Sequence, residues 1–145
     1  MPNTPAIRFA ETGGPAVLQI TEAELAEPGP GQALVGVHAS GVNFIDTYHR
    51  SGLYPVDLPF IPGSEGAGIV EAVGADVTDV AVGDRVAWVG VPGSYAGRVL
   101  APTEALMPIP DGVSLKIAAA LPLQGMTAHY LVSDTKPLRP GDRCL

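Results

Sequence analysis

Cysteine is almost absent from this 145-residue chain, Cys144 being the only one. An internal disulfide and a multi-thiolate metal site are thereby excluded, and such thiol poverty suits a reducing compartment. Positive charge is also scarce. Eight Lys and Arg stand against fifteen Asp and Glu, for a net charge of −7. The cations Arg8, Arg50, Arg85, Arg98, Lys116, Lys136, Arg139 and Arg143 are scattered, so no patch exists to neutralise nucleic-acid phosphates. No apolar run approaches the ~20 residues of a membrane helix, and the opening Met-Pro-Asn-Thr-Pro has no basic region ahead of an apolar one. The expectation is a soluble, cytoplasmic protein with neither nucleic-acid nor membrane partners.

What the chain does have is glycine and proline, 18 and 15 residues respectively, interspersed among runs of Val, Ile, Leu and Ala. That pattern reads as many short strands joined by turns. Strands are expected at Ala6 to Phe9, Val17 to Leu25, Gln32 to Ser40, Ala67 to Val73, Arg85 to Val89, Tyr95 to Ala101 and Ala105 to Ile109. Such spacing is barrel-like. Two segments instead read as helical. The first has Asn43 as N-cap, Phe44 and Tyr48 on one face, and Gly52 as its stop. The second opens at Ser114, should be kinked or split by Pro122, and resumes through Met126, Tyr130 and Leu131. Pro140-Gly141-Asp142 reads as a turn, with a strand beginning at Arg143-Cys144-Leu145 and cut at a fragment edge.

Residues Gly41 to Pro55 crowd hydrogen-bonding side chains onto the short helix and the loop after it. Taken alone, Asn43 is satisfied as a cap, Asp46 and Arg50 as a surface pair at i,i+4, and Tyr48 as a core residue. The stretch Gly63-Ser64-Glu65-Gly66-Ala67-Gly68-Ile69-Val70-Glu71 fails the G-x-G-x-x-G spacing of a phosphate loop, because Glu71 stands at the third glycine position and no helix opens there. Its glycines suit bulges and bends in a small barrel.

Taken in order, these segments resemble the medium-chain dehydrogenase/reductase superfamily. Zinc-containing members carry G-x-C-x-x-D and then G-H-E-x-x-G-x-V-x-x-V-G, the cysteine and histidine binding catalytic zinc. Here Asn43 replaces the cysteine and Ser64 the histidine, while Asp46 and Glu65 persist. The wording Asn43 to Pro55 is similar to the zeta-crystallin-like NADPH:quinone oxidoreductases. The resemblance implies a mainly β, GroES-like, partly open β-barrel over residues 1–135, with 136–145 a linker and the first residues of a Rossmann domain that is expected to be truncated. It further implies NADP(H) as cofactor, no metal, a small-molecule quinone as substrate and a homodimeric parent enzyme.

By the same resemblance, Asn43, Tyr48 and Tyr54 line the catalytic cleft, and Phe44, Ile45, Asp46, Thr47, Tyr48, Thr127 and Tyr130 contact the cofactor. His129 departs from the aromatic residue of the family pattern, and no role is drawn from it. Two rival readings stand beside this one: a zinc-free reductase of enones or enoyl thioesters, and a non-enzymatic GroES-like or crystallin-like module.

Overall fold

The computed structural model describes residues 3–143. Strand β1 (Asn3–Arg8) and strand β2 (Gln19–Glu24) pair antiparallel as a two-stranded ribbon. The second is shorter than the expected Val17 to Leu25, because Pro15–Val17 closes a 3-10 turn for which the fixed φ of Pro15 is suited. Strand β3 (Gln32–Ser40) has the bounds its alternation predicts. Helix α1 (Phe44–Ser51) follows, and then strands β4 (Glu65–Val73), β5 (Arg85–Val89), β6 (Arg98–Pro102) and β7 (Leu106–Pro108). From β3 onward the five strands form one antiparallel sheet in the order β6-β3-β4-β5-β7. The expected class, mainly β with short helices, is what is found. The larger sheet runs from β6 to β7 without closing on itself.

Other strands also depart from their expected limits, beginning with β1, which starts at Asn3 rather than Ala6 because Asn3, Thr4 and Pro5 already pair with Glu24, Ala23 and Glu22. Strand β4 begins two residues early, since Glu65 and Gly66 already pair with Val89 and Trp88. Strand β6 begins at Arg98 rather than Tyr95, because the preceding residues are drawn onto β1: Ile7 donates to the Tyr95 carbonyl at 2.8 Å and Gly97 donates to that of Pro5 at 2.8 Å. Ala105 belongs to a 3-10 turn ahead of β7.

Inward-facing Ala33, Val35, Val70, Val86, Trp88 and Val99 form the main core. Trp88 is fully buried, and its indole N–H finds Ser94 Oγ at 2.8 Å, so the polar end of a large apolar side chain is satisfied. The register of β3 on β4 shifts between Leu34 and Val35 and again between Val37 and Ala39, which are the bulges expected of the glycine-rich stretch. Close approach is a further reason for glycine there. A Cβ on Gly68 would stand 2.0 Å from the Gly36 carbonyl oxygen.

Pro122 divides the second helical segment as expected, into α2 (Leu115–Ala120) and α3 (Pro122–Tyr130), with a wider π-helical turn at Leu131–Thr135. Ser114 caps α2, its hydroxyl accepting from the Ile117 N–H at 3.3 Å. Ala118 and Ala119 pack α2 on Ala67 and Ala87 of the sheet, which fixes the start of α3 over β4. Residues 140 and 141 form the expected turn. Arg143 is irregular, and the rest of the strand expected at Arg143 to Leu145 lies outside the described residues. Among the described residues no helix is long and apolar enough to cross a membrane.

Candidate active site

Strand β3 ends at Ser40, and the chain turns at Gly41, whose N–H donates to the Glu65 carbonyl at 3.0 Å. A Cβ on Gly41 would lie 2.1 Å from Glu65 Oε2 and 3.1 Å from the Ala119 carbonyl, so only glycine admits this approach. The turn delivers Asn43 to the N-cap of α1 in extended conformation, at φ −126° and ψ 154°. Gly52 ends the helix in the left-handed region at φ 82°, its N–H on the His49 carbonyl. Both boundaries are those expected from the sequence.

Asp46 occupies the first turn, is only 8% exposed, and accepts three hydrogen bonds. The Asn43 N–H meets Oδ2 at 3.0 Å, the Gly63 N–H meets Oδ1 at 3.2 Å, and the Tyr95 hydroxyl donates to Oδ2 at 2.7 Å. The reading of Asp46 and Arg50 as a surface pair is therefore corrected: Asp46 points inward, and among the described residues the ion pair present is Arg98 with Glu71 at 2.6 Å. Burial holds the Tyr95 phenol well above its ordinary range, reinforced by its donated hydrogen bond to Asp46 and by the charge of that carboxylate.

A second carboxylate lies on the other side of Asn43. Glu65, at 0% exposure, accepts the Asn43 side-chain N–H on Oε2 at 2.9 Å and the Leu123 backbone N–H on Oε1 at 2.6 Å. Asn43 is itself 8% exposed, lying just beneath the surface between the two acids. Gln124 donates to the Val42 carbonyl at 3.5 Å, a second tie between α3 and the turn before α1.

Above this buried layer stands an aromatic surface. Phe44 is 77% exposed and Tyr54 49%. The Phe44 and Tyr48 rings are 5.8 Å apart and those of Tyr48 and Tyr54 are 5.2 Å apart. The Tyr54 N–H donates to the Tyr48 carbonyl at 3.2 Å, so the loop after α1 folds back onto the helix. His49 and Phe60 continue the rings down to buried Phe9. Tyr48 is thus half-buried within a stack rather than a core residue. Ile45 is half-buried, Thr47 is exposed with its hydroxyl on the Phe44 carbonyl at 2.6 Å, and Thr127 and Tyr130 are exposed on α3. Those two lie four and seven residues after Leu123, on the helix face it shares. An apolar groove of about 650 Å3, lined by Ile7, Ile20, Ser40, Val42 and Tyr95 among others, adjoins the turn before α1.

The structure thus brings Asn43, Asp46, Tyr48 and Tyr54 together on and around α1, and it links α3, with Thr127 and Tyr130, to them through Glu65. Glu65 and Tyr95 had no role in the sequence reading. The persistence of Glu65 in the superfamily motif was a usable signal, whereas Tyr95, read only as the start of a strand, carried none.

A family model for the alcohol dehydrogenase GroES-like domain matches residues 29–111. The chain is 50% identical over 141 residues to a quinone oxidoreductase of Pseudomonas aeruginosa, a match covering 96% of this chain and 43% of that protein. It is 42% identical over 140 residues to a 2-haloacrylate reductase of a Burkholderia species, covering 92% and 42% respectively. Among solved structures it is similar to Escherichia coli quinone oxidoreductase complexed with NADPH, with a TM-score of 0.89, 40% identity, and 94% of this chain aligned to 42% of that one. The chain spans less than half the length of these relatives.

Proposed function

Because the chain belongs to the alcohol dehydrogenase GroES-like domain family, we propose that it is the substrate-side domain of a reductase that passes hydride from NADPH to a quinone without a catalytic zinc. The observation that carries this reading is the surface of α1, where Tyr48 and Tyr54 stand 5.2 Å apart beside exposed Phe44, on a helix anchored from beneath by buried Asp46 and Glu65. Similarity over nearly the whole chain to quinone oxidoreductases, one of them complexed with NADPH, supports it.

The donor set at the zinc position does not fit the metal. Where zinc-bearing members of the superfamily supply thiolate and imidazole, this chain has Asn43 and Ser64, and the Asn43 amide N–H is committed to Glu65. Zinc requires lone pairs of the thiolate, imidazole or carboxylate kind. Charge developing on the substrate oxygen is met instead by neutral donors, the Tyr48 and Tyr54 hydroxyls. A quinone accepts electrons readily enough for such donors to serve.

The residues around α1 and α3 do fit a nicotinamide cofactor. The exposed rings of Phe44 and Tyr130 offer stacking faces, the exposed Thr47 and Thr127 offer hydroxyls, and half-buried Ile45 offers an apolar side chain. Bound NADPH supplies the hydride, and the chain supplies position and electrostatics. Asp46, with three hydrogen bonds to hold, keeps the first turn of α1 in place.

A second reading is favoured by the 2-haloacrylate reductase similarity: the acceptor is an activated carbon–carbon double bond. Steady-state NADPH oxidation by the full-length protein, with a naphthoquinone and with 2-chloroacrylate, separates the two. The quinone reading expects the larger kcat/KM for the naphthoquinone. In the same assay Tyr54→Phe should lower kcat/KM by about tenfold or more, the order lost when one transition-state hydrogen bond goes. Unchanged kinetics would remove Tyr54 from that role.

A further inference from the structure

Glu65 is the one fully buried carboxylate of the described residues, and the chemistry proposed above gives it no proton or substrate atom to handle. It is the first residue of β4, and among the described residues no Lys or Arg forms an ion pair with it. An ionised carboxylate without a cation needs directed N–H donors to offset its desolvation. It has two, and they come from different elements. Asn43 Nδ2, at the head of α1, meets Oε2, and the Leu123 N–H, in the first turn of α3, meets Oε1. Pro122 occupies the preceding position with no N–H to give, so Leu123 carries the first donor of that helix end, and the helix dipole adds to the attraction for a negative group. Gly41 leaves the space the carboxylate fills.

From this geometry we infer that Glu65 is a positioning residue, a buried clamp that holds Asn43 and α1 in register with α3. The inference rests on the reductase reading for its catalytic consequence. The clamp does two things. It fixes the side-chain amide of Asn43, since a carboxylate accepts only from the nitrogen end and so selects one of the two amide orientations. It also ties the helix bearing Thr127 and Tyr130 to the helix bearing Phe44 and Tyr48, so that both faces of the candidate site move together.

Glu65→Gln isolates the first effect. A glutamine can accept from Leu123 through its oxygen and donate through its nitrogen to Asn43, provided the Asn43 amide turns over. Both hydrogen bonds survive and the orientation reverses. In the full-length enzyme the expected result is a fall in kcat of about tenfold, the scale of one displaced polar group in the site, with native circular dichroism retained. In an Asn43→Ala background the same substitution should change kcat less than about twofold, because no amide remains to be turned. An equal fall in both backgrounds, or none in either, would overturn the role of the clamp on Asn43. If the glutamine variant does not fold, Glu65→Asp replaces it in the same cycle, one methylene too short to span both donors.

The second effect is read without turnover, by hydrogen exchange on the cofactor-free protein. Glu65→Ala should accelerate exchange in segments 43–51 and 121–130 together by about tenfold or more, as local opening loses its tie. Acceleration confined to one segment, or absent from both, would sink the coupling. Failure of the wild-type enzyme to reduce quinones would overturn the proposed reaction and leave the exchange result to decide the clamp.

Discussion

Removing the Asp46 carboxylate strands three donors at once. Each unsatisfied buried donor costs ~1–3 kcal/mol, and water entering the space offsets part of it, so Asp46→Ala is expected to destabilise the chain by about 3 kcal/mol, read from urea unfolding. A loss under about 1 kcal/mol would mean that the freed donors find water or other partners and that the three bonds add little to stability. Tyr95 adds a dependence on pH. The unfolded chain ionises its tyrosines near pH ~10, whereas folded Tyr95 keeps its proton to higher pH. Above pH ~10 the folded state binds more protons than the unfolded one, so stability present in full at lower pH falls as pH rises. Tyr95→Phe should flatten that alkaline decline, which urea midpoints at neutral pH and near pH ~11 would reveal. Asn43 and Gly52 were legible as caps because caps are local. The inward turn of Asp46 was not, because its partners Gly63 and Tyr95 come from distant parts of the chain and an arginine at i,i+4 offered a simpler partner.

Between elements, the glycines provide a controlled comparison. Gly63 at φ 86° would set a Cβ 2.4 Å from the Tyr95 ring, while Gly112 at φ 83° would set one in open space. Alanine at either position bears a left-handed backbone penalty of roughly 1–2 kcal/mol, but only at Gly63 does it also press on the partner of Asp46. Thermal unfolding should therefore show Gly63→Ala the more destabilising of the two, and equal shifts would deny the contact. Element boundaries were legible to the extent that their causes were local. Helix α1, strand β3 and strand β5 have the expected limits. Strand β6 was over-extended because alternation does not reveal which neighbour a residue bonds, and residues 95–97 bond to the N-terminal strand.

For the whole molecule, the order β6-β3-β4-β5-β7 was beyond reach of the sequence, since every pairing in it is decided by which side chains can share one core. The class, the split at Pro122 and the crowding of polar groups around α1 were within reach. Leu121, Met126, Tyr130, Leu131 and Val132 all stand exposed along α3 and its flanks. Exposed apolar side chains in that number bind apolar probes. The 145-residue chain by itself should enhance the fluorescence of an anilinonaphthalene dye, and Met126→Lys with Leu131→Lys should abolish the enhancement while leaving the fold intact. The neck of the site has a further consequence. Ser40 pairs with Gly66, and Gly41 bonds the Glu65 carbonyl, so residues 42–64 leave and rejoin the sheet at one point between adjacent strands. The exposed positions of that segment, Phe44, Thr47, Leu53 and Tyr54 among them, can therefore change without re-registering a strand, whereas Asn43, Asp46 and Gly63, which tie it to the rest of the fold, cannot.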